Sequence, residues 1–101
     1  SELGIMQEAT KVAALRTKYR LTVSQARVIL PLAISGRVMN ASQLFDAIPH
    51  TQDGVETDAI KVHVECIRRK VGKDAIRTFP GLGYQITQQG KDAVRSALED
   101  A

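Results

Sequence analysis

Residues 60–87, IKVHVECIRRKVGKDAIRTFPGLGYQIT, change hydrophobic period once, and that change restricts the fold more than any other feature of the chain. Ile60, Val64, Ile67 and Val71 recur at i, i+4, i+7 and i+11, which puts them in one narrow sector of a helix and marks a core seam. Gly72 stops the pattern. Residues 76–79 and 84–87 then have the residue types of short strands on either side of PGLG, whose proline and glycines read as the turn of a hairpin. A basic amphipathic helix therefore runs directly into a β-hairpin.

The remainder of the chain supplies the elements around this pair. Residues 2–19 contain no proline and are rich in good helix formers, with Ile5, Ala9, Val12, Leu15 and Tyr19 near one face. Thr22 is an N-cap with Gln25 at the capping-box position, and it opens a second helix over residues 22–35. Val23, Ala26, Ile29 or Leu30, and Ala33 mark the buried stripe of that helix. Pro31 removes a backbone hydrogen bond inside it and predicts a bend around residues 27–31. Gly36 ends the helix, and Val38-Met39 form a short extended piece. Asn40 caps a third helix over residues 41–48, stopped by Pro49, and residues 49–57 are a loop. The basic helix opens at Glu56 or Thr57. Thr87 caps a last helix with a stripe of Ala93, Val94, Ala97, Leu98 and Ala101.

This order, two short helices and a turn followed by a longer basic helix and a hairpin, predicts a mainly α protein with a small β-hairpin. It is a winged helix-turn-helix with extra N- and C-terminal helices. Length allows one domain, 1–101, made of an N-terminal helical extension (1–20), a winged-helix core (21–87) and a C-terminal helix (88–101). The physical use of such a pairing is docking on a duplex: one α-helix fits the width of the major groove, and a hairpin tip reaches an adjacent groove or the backbone.

Charge agrees with that use through its distribution rather than its sum. The net charge is only +3, yet residues 58–81 hold six Lys/Arg against three acids, while the segments on either side are nearly balanced. A local basic excess is the footprint of a phosphate-binding surface, although it is equally the mark of a solvated helix face. One cysteine, Cys66, excludes an intramolecular disulfide, and the lack of a Cys/His cluster argues against zinc. No cofactor is expected. No apolar run is long enough for a membrane span, and the first residues have no signal-peptide pattern, so a cytoplasmic, nucleoid-associated protein is expected. The four aromatic residues are too dispersed for a single-strand stacking platform.

On a helical wheel the face opposite the seam carries Val62, Glu65 and Arg69 beside Asp58. Lys61 and Arg68 flank it on one side, Cys66 and Lys73 on the other. If the helix enters a groove, the outward set reads bases and the flanking set holds phosphates. Arg68 and Arg69 are the leading candidates, since arginine dominates both phosphate clamping and guanine recognition. Glu65 repels phosphate but can accept from a cytosine amino group. His63 at the seam's edge reads first as a packed structural histidine, and Cys66, with no activating base in view, as inert.

Three separated motifs resemble the winged-helix output domain of response regulators of the OmpR/PhoB class. They are residues 21–48, with Leu21-Thr22 and the Gly36, Val38 and Leu44 spacing; residues 60–71, with Val62-His63-Val64 and Ile67-Arg68-Arg69-Lys70-Val71; and the wing end Gly81-Leu82-Gly83-Tyr84. The resemblance covers residues 21–87. It implies DNA contacts from His63 and Arg68 to the backbone, from Val62 to the groove, from the wing at Arg77, Gly81 and Leu82, and from Asn40 and Ser42 at the start of a helix pointing at a phosphate.

Five departures accompany the resemblance. A helix over residues 2–19 stands where that class has a four-stranded sheet, and a receiver domain is missing from these residues. Glu65 and Cys66 occupy base-reading positions that are usually basic, and Pro80 stands where the wing usually has an arginine. Residues 87–94, TQQGKDAV, are instead similar to the start of the helix after the wing in MarR-like proteins. The implied function is sequence-specific binding of double-stranded DNA by a bacterial or phage transcriptional regulator with an altered target. The alternative is a winged helix used for protein–protein contact, RNA polymerase being one such partner. A homodimer through the N- and C-terminal helices is a separate expectation. Nothing in the sequence assigns a nucleophile, a base or a phosphate loop, so no enzyme is expected.

Overall fold

Thr22 and Gln25 open the helix around which everything else is packed. The Thr22 hydroxyl accepts from the Gln25 N–H at 3.1 Å, and the Gln25 side chain accepts from the Thr22 N–H at 3.0 Å, closing the expected capping box. In the computed structural model, which describes residues 7–47 and 57–100, the elements are α1 (Glu8–Tyr19), α2 (Val23–Ser35), α3 (Ala41–Ala47), α4 (Thr57–Val71), β1 (Ile76–Phe79), β2 (Gly83–Ile86) and α5 (Gln88–Glu99). This is the winged helix-turn-helix with flanking helices that the sequence predicts. Of the loop expected at 49–57 only Thr57 is described, as the first residue of α4; its other residues, the Pro49 stop, Ile48, Ile5 and Ala101 lie outside the described residues.

α2 is continuous across Pro31 and ends at Gly36, whose left-handed φ of 67° lets its N–H reach the Leu32 carbonyl at 3.0 Å. A single stripe describes this helix poorly. Ala26, Val28, Ile29, Leu30 and Leu32 are all buried, whereas Val23 is 37% exposed. The reason is that α1, α3, α4, α5 and β2 all touch α2, so most of its circumference faces protein.

α1 starts at Glu8, after an extended Gln7; residues 2–6 of the helix expected over 2–19 lie outside the described residues. Val12, Ala14 and Leu15 are buried, while Ala9, expected on the apolar face, is exposed. The helix ends at Arg20 in the left-handed region (φ 58°), a conformation that costs a non-glycine residue on the order of 1 kcal/mol. Lys70 from α4 caps that end: its ammonium donates to the Arg20 carbonyl and to the Gln25 side chain, both at 3.0 Å.

The hairpin pairs Ile76 with Ile86 and Phe79 with Gly83, and a bridge from Met39 to Tyr84 adds the Val38-Met39 segment to its edge. Met39 and Tyr84 exchange N–H···O bonds of 2.7 and 2.8 Å. Gly83 makes this approach possible, because its φ is 140° and a Cβ there would sit 2.3 Å from the Met39 carbonyl oxygen. A similar constraint operates at Gly90 in α5, where a Cβ would meet the Ala75 carbonyl at 2.2 Å. The Thr87 hydroxyl caps α5 by accepting from the Gly90 N–H at 3.1 Å.

One core results. Ile60, Val64 and Ile67 of α4 are fully buried, as their seam predicts, against Leu44, Ile76 and Ile86 and the residues of α2. Val12 and Leu15 of α1 and Val94 and Ala97 of α5 belong to the same cluster. The two outer helices also pack on each other, joined by Tyr19 donating to the Ala93 carbonyl at 2.8 Å and by the Lys18–Asp100 ion pair. Val12, Leu15, Val94 and Ala97 of the stripes on which a homodimer was expected are thus buried within the chain.

Candidate nucleic-acid interface

Because the α4 seam is consumed by the core, the helix turns its opposite face outward. Val62 is 60% exposed, and Lys61, Glu65 and Arg69 are exposed around it. Lys61 and Arg69 make no ion pair among the described residues. Cys66 is half-buried, and its sulfur accepts from Nη2 of Arg69 at 3.0 Å, which folds the guanidinium of Arg69 back against the helix. The backbone of Asp58 lies in α4; its side chain is outside the described set.

His63 is half-buried at the seam's edge, and burial pushes its pKa below the ordinary imidazole value. Desolvation disfavours the charged form, so at neutral pH the ring is uncharged and offers a hydrogen bond rather than an ionic contact.

Arg68 has partners within the fold that its place in the basic run does not show. It was expected at the DNA backbone, yet its guanidinium is turned toward the wing. Nε and Nη2 donate to the Ile76 carbonyl at 3.1 and 2.9 Å, Nη2 also to the Thr78 hydroxyl at 2.6 Å, and Nη1 to Glu65 at 2.7 Å. The planar fork of arginine suits this multiple donation, and the side chain is only 19% exposed. Arg68 therefore fixes the first wing strand to α4. It also pairs with Glu65, which balances the one described carboxylate on the groove face and weakens its repulsion of phosphate. Glu65, read from the sequence as a free base-reading acid, is half of an ion pair whose second oxygen remains available.

The wing tip is a tight turn, with Pro80 and Gly81 (φ 77°) at its centre and the Leu82 N–H donating to the Phe79 carbonyl at 2.9 Å. Leu82 is 67% exposed. Arg77, exposed on β1, lays its guanidinium 5.3 Å from the centre of the Phe79 ring, two residues along the same strand face. Lys73, also exposed, sits in the turn between α4 and β1.

Asn40 and Gln43 form a second capping box at the start of α3, with bonds of 2.8 and 2.9 Å, so the Asn40 carboxamide is already engaged. Ser42 is exposed on the first turn. Asn40, Gly81 and Leu82 line one open cleft between α3 and the wing tip. The start of α3, the outer face of α4 and the wing therefore form neighbouring parts of one surface.

Two residues outside the sequence-predicted set hold the elements around that surface. Thr78 holds the Arg68 fork, and Lys70, counted in the basic run, is directed to the α1–α2 turn. Neither has a local signature, since Lys70 reaches across 50 residues of sequence.

Comparison with known proteins points the same way. The family described as "Transcriptional regulatory protein, C terminal" matches residues 12–86. The response regulator protein PmrA of Pseudomonas aeruginosa is 44% identical over 59 residues, which are 58% of this chain and 27% of PmrA. The transcriptional regulatory protein CseB of Streptomyces avermitilis is 30% identical over 86 residues, 84% of this chain and 37% of CseB. QseB of Escherichia coli is 34% identical over 55 residues, 54% of this chain and 25% of QseB. The chain spans well under half the length of these relatives. No solved structure gives a significant match.

Proposed function

Because the chain belongs to the family of C-terminal domains of transcriptional regulatory proteins, we propose that it binds double-stranded DNA sequence-specifically and regulates transcription, with α4 in the major groove and the wing on an adjacent groove. The observation that carries this reading is the pairing of an exposed α4 face, bearing Lys61, Val62 and Arg69, with a wing fixed to the same helix by Arg68. Family membership also removes the enzyme reading.

The roles divide by chemistry. Arg69 has donors left after its sulfur contact and is the best-placed reader of guanine. Val62 and Cys66 offer apolar contact to a thymine methyl. The free oxygen of Glu65 accepts from cytosine. Lys61, Lys73 and Arg77 hold phosphates, joined by His63 as a neutral donor and by the α3 start at Asn40 and Ser42. Gly81 and Leu82 bring the wing tip to the minor groove. Arg68 acts through the wing and not on the phosphates. A target different from that of relatives with basic residues at positions 65 and 66 follows.

The unit that does this is the whole chain, with residues 21–87 making the contacts. The protein-contact alternative, RNA polymerase included, and a homodimer through the terminal helices gain no specific support on this surface. Selection of duplexes from a random pool, followed by affinity measurement at several salt concentrations, tests the reading. Arg69→Ala and Lys61→Ala are each expected to weaken binding, and a lost phosphate contact lowers the slope of log K against log salt by about one. Unchanged affinity and slope in both variants would refute the interface.

A further inference from the structure

α1, the C-terminal half of α2 and α5 enclose an open groove to which neither α4 nor the hairpin contributes a residue. Its floor is apolar: Leu30, Ala33 and Ile34 from α2 face Val94 and Leu98 from α5. Ile34 is 70% exposed, more than Val62 or Leu82 on the proposed DNA face.

The rim is basic. Lys11, Lys91 and Arg95 line it, and none makes an ion pair among the described residues. Past Pro31 the groove continues to Arg27, whose Nε is buried without a hydrogen-bond partner. The carboxylate of Glu8 stands 3.9 Å from that atom, too far for a hydrogen bond. Glu8 is the single acid among the described residues that line the groove.

We propose that this groove docks an acidic amphipathic helix of a protein partner. Burial of an exposed aliphatic side chain such as Ile34 is favourable, and an apolar trough between helices accepts a helix through anchors at i, i+3 or i+4, and i+7. The sign of the rim selects the partner's flanks: carboxylates gain from Lys11, Lys91 and Arg95, while a basic helix is repelled. A nucleic acid would satisfy the rim but leave the aliphatic floor exposed. The groove shares no residue with the α4–wing face, so both can be occupied together.

The test is selection of displayed random 16-residue peptides on the folded chain with excess duplex DNA present, followed by anisotropy measurements with the enriched peptides. Acid-rich sequences with aliphatic residues at helical spacing are expected, and Ile34→Gln and Arg95→Glu are each expected to weaken them about tenfold. Both sites are exposed, and unchanged circular dichroism would show that the fold is retained. Enrichment of basic or patternless peptides, no enrichment, or undiminished binding in both variants would overturn the proposal. Both variants should bind DNA as the native chain does. A native chain that docks acidic peptides but binds no duplex would uphold the groove and refute the DNA reading.

Discussion

Arg68 shows how one side chain can be identified by type while its partners within the fold stay hidden. Its position in a basic run makes phosphate contact the natural inference, but the guanidinium donates to Ile76, Thr78 and Glu65. Lysine in its place keeps the charge but cannot span three acceptors. Arg68→Lys is expected to cost about 1–2 kcal/mol in urea unfolding, since hydrogen bonds to charged groups are worth roughly that much. The same variant should weaken DNA binding through a loosened wing while leaving the salt slope nearly unchanged, in contrast to Arg69→Ala. A slope reduced by about one in Arg68→Lys would return Arg68 to the phosphate-contacting set. The outward direction of Val62 and Arg69 was legible because it follows from helical spacing alone. The orientation of Arg68 was not, because its acceptors at Ile76 and Thr78 belong to a strand that no local rule places beside it.

At the scale of elements, capping and turn chemistry placed most boundaries. Thr22, Asn40 and Thr87 each start a helix, with the side-chain bonds their residue types predict. The PGLG turn sits between the two predicted strands. What local chemistry leaves open is how the hairpin meets the rest, and Gly83 decides that by allowing the Met39 backbone within bonding distance of Tyr84. Gly83→Ala combines a strained φ with a clash against backbone that cannot swing aside. It is expected to destabilise by at least ~2 kcal/mol in thermal or chemical melts and to expose the amides of Met39 and Tyr84 to hydrogen exchange. An unchanged melting temperature would mean that the 38–39 edge contributes little to holding the wing. Gly81→Ala gives a useful contrast, since nothing lies within 4 Å of a Cβ there and only the φ of 77° opposes the substitution.

For the whole molecule the decisive fact is that the terminal helices complete the core. Val12, Leu15, Val94 and Ala97 lie in one cluster with the α2 and α4 residues. Each buried aliphatic side chain of valine or leucine size contributes about 1.5–3 kcal/mol, against a total stability of roughly 5–15 kcal/mol for a domain. A fragment of residues 21–87 is therefore expected to lack a cooperative thermal transition, although it contains every proposed DNA-contacting residue. A fragment that melted like the whole chain would make α1 and α5 appendages. The sequence by itself determined the helix periods, the caps, the hairpin and the polarity of the α4 face, because each depends on residues within a turn or two of one another. Only the tertiary structure decided that α2 is enclosed on most sides, that α1 and α5 cover the core, and that Arg68 and Lys70 brace the fold. Those outcomes depend on which separate elements meet, and such pairings leave no periodic trace in the chain.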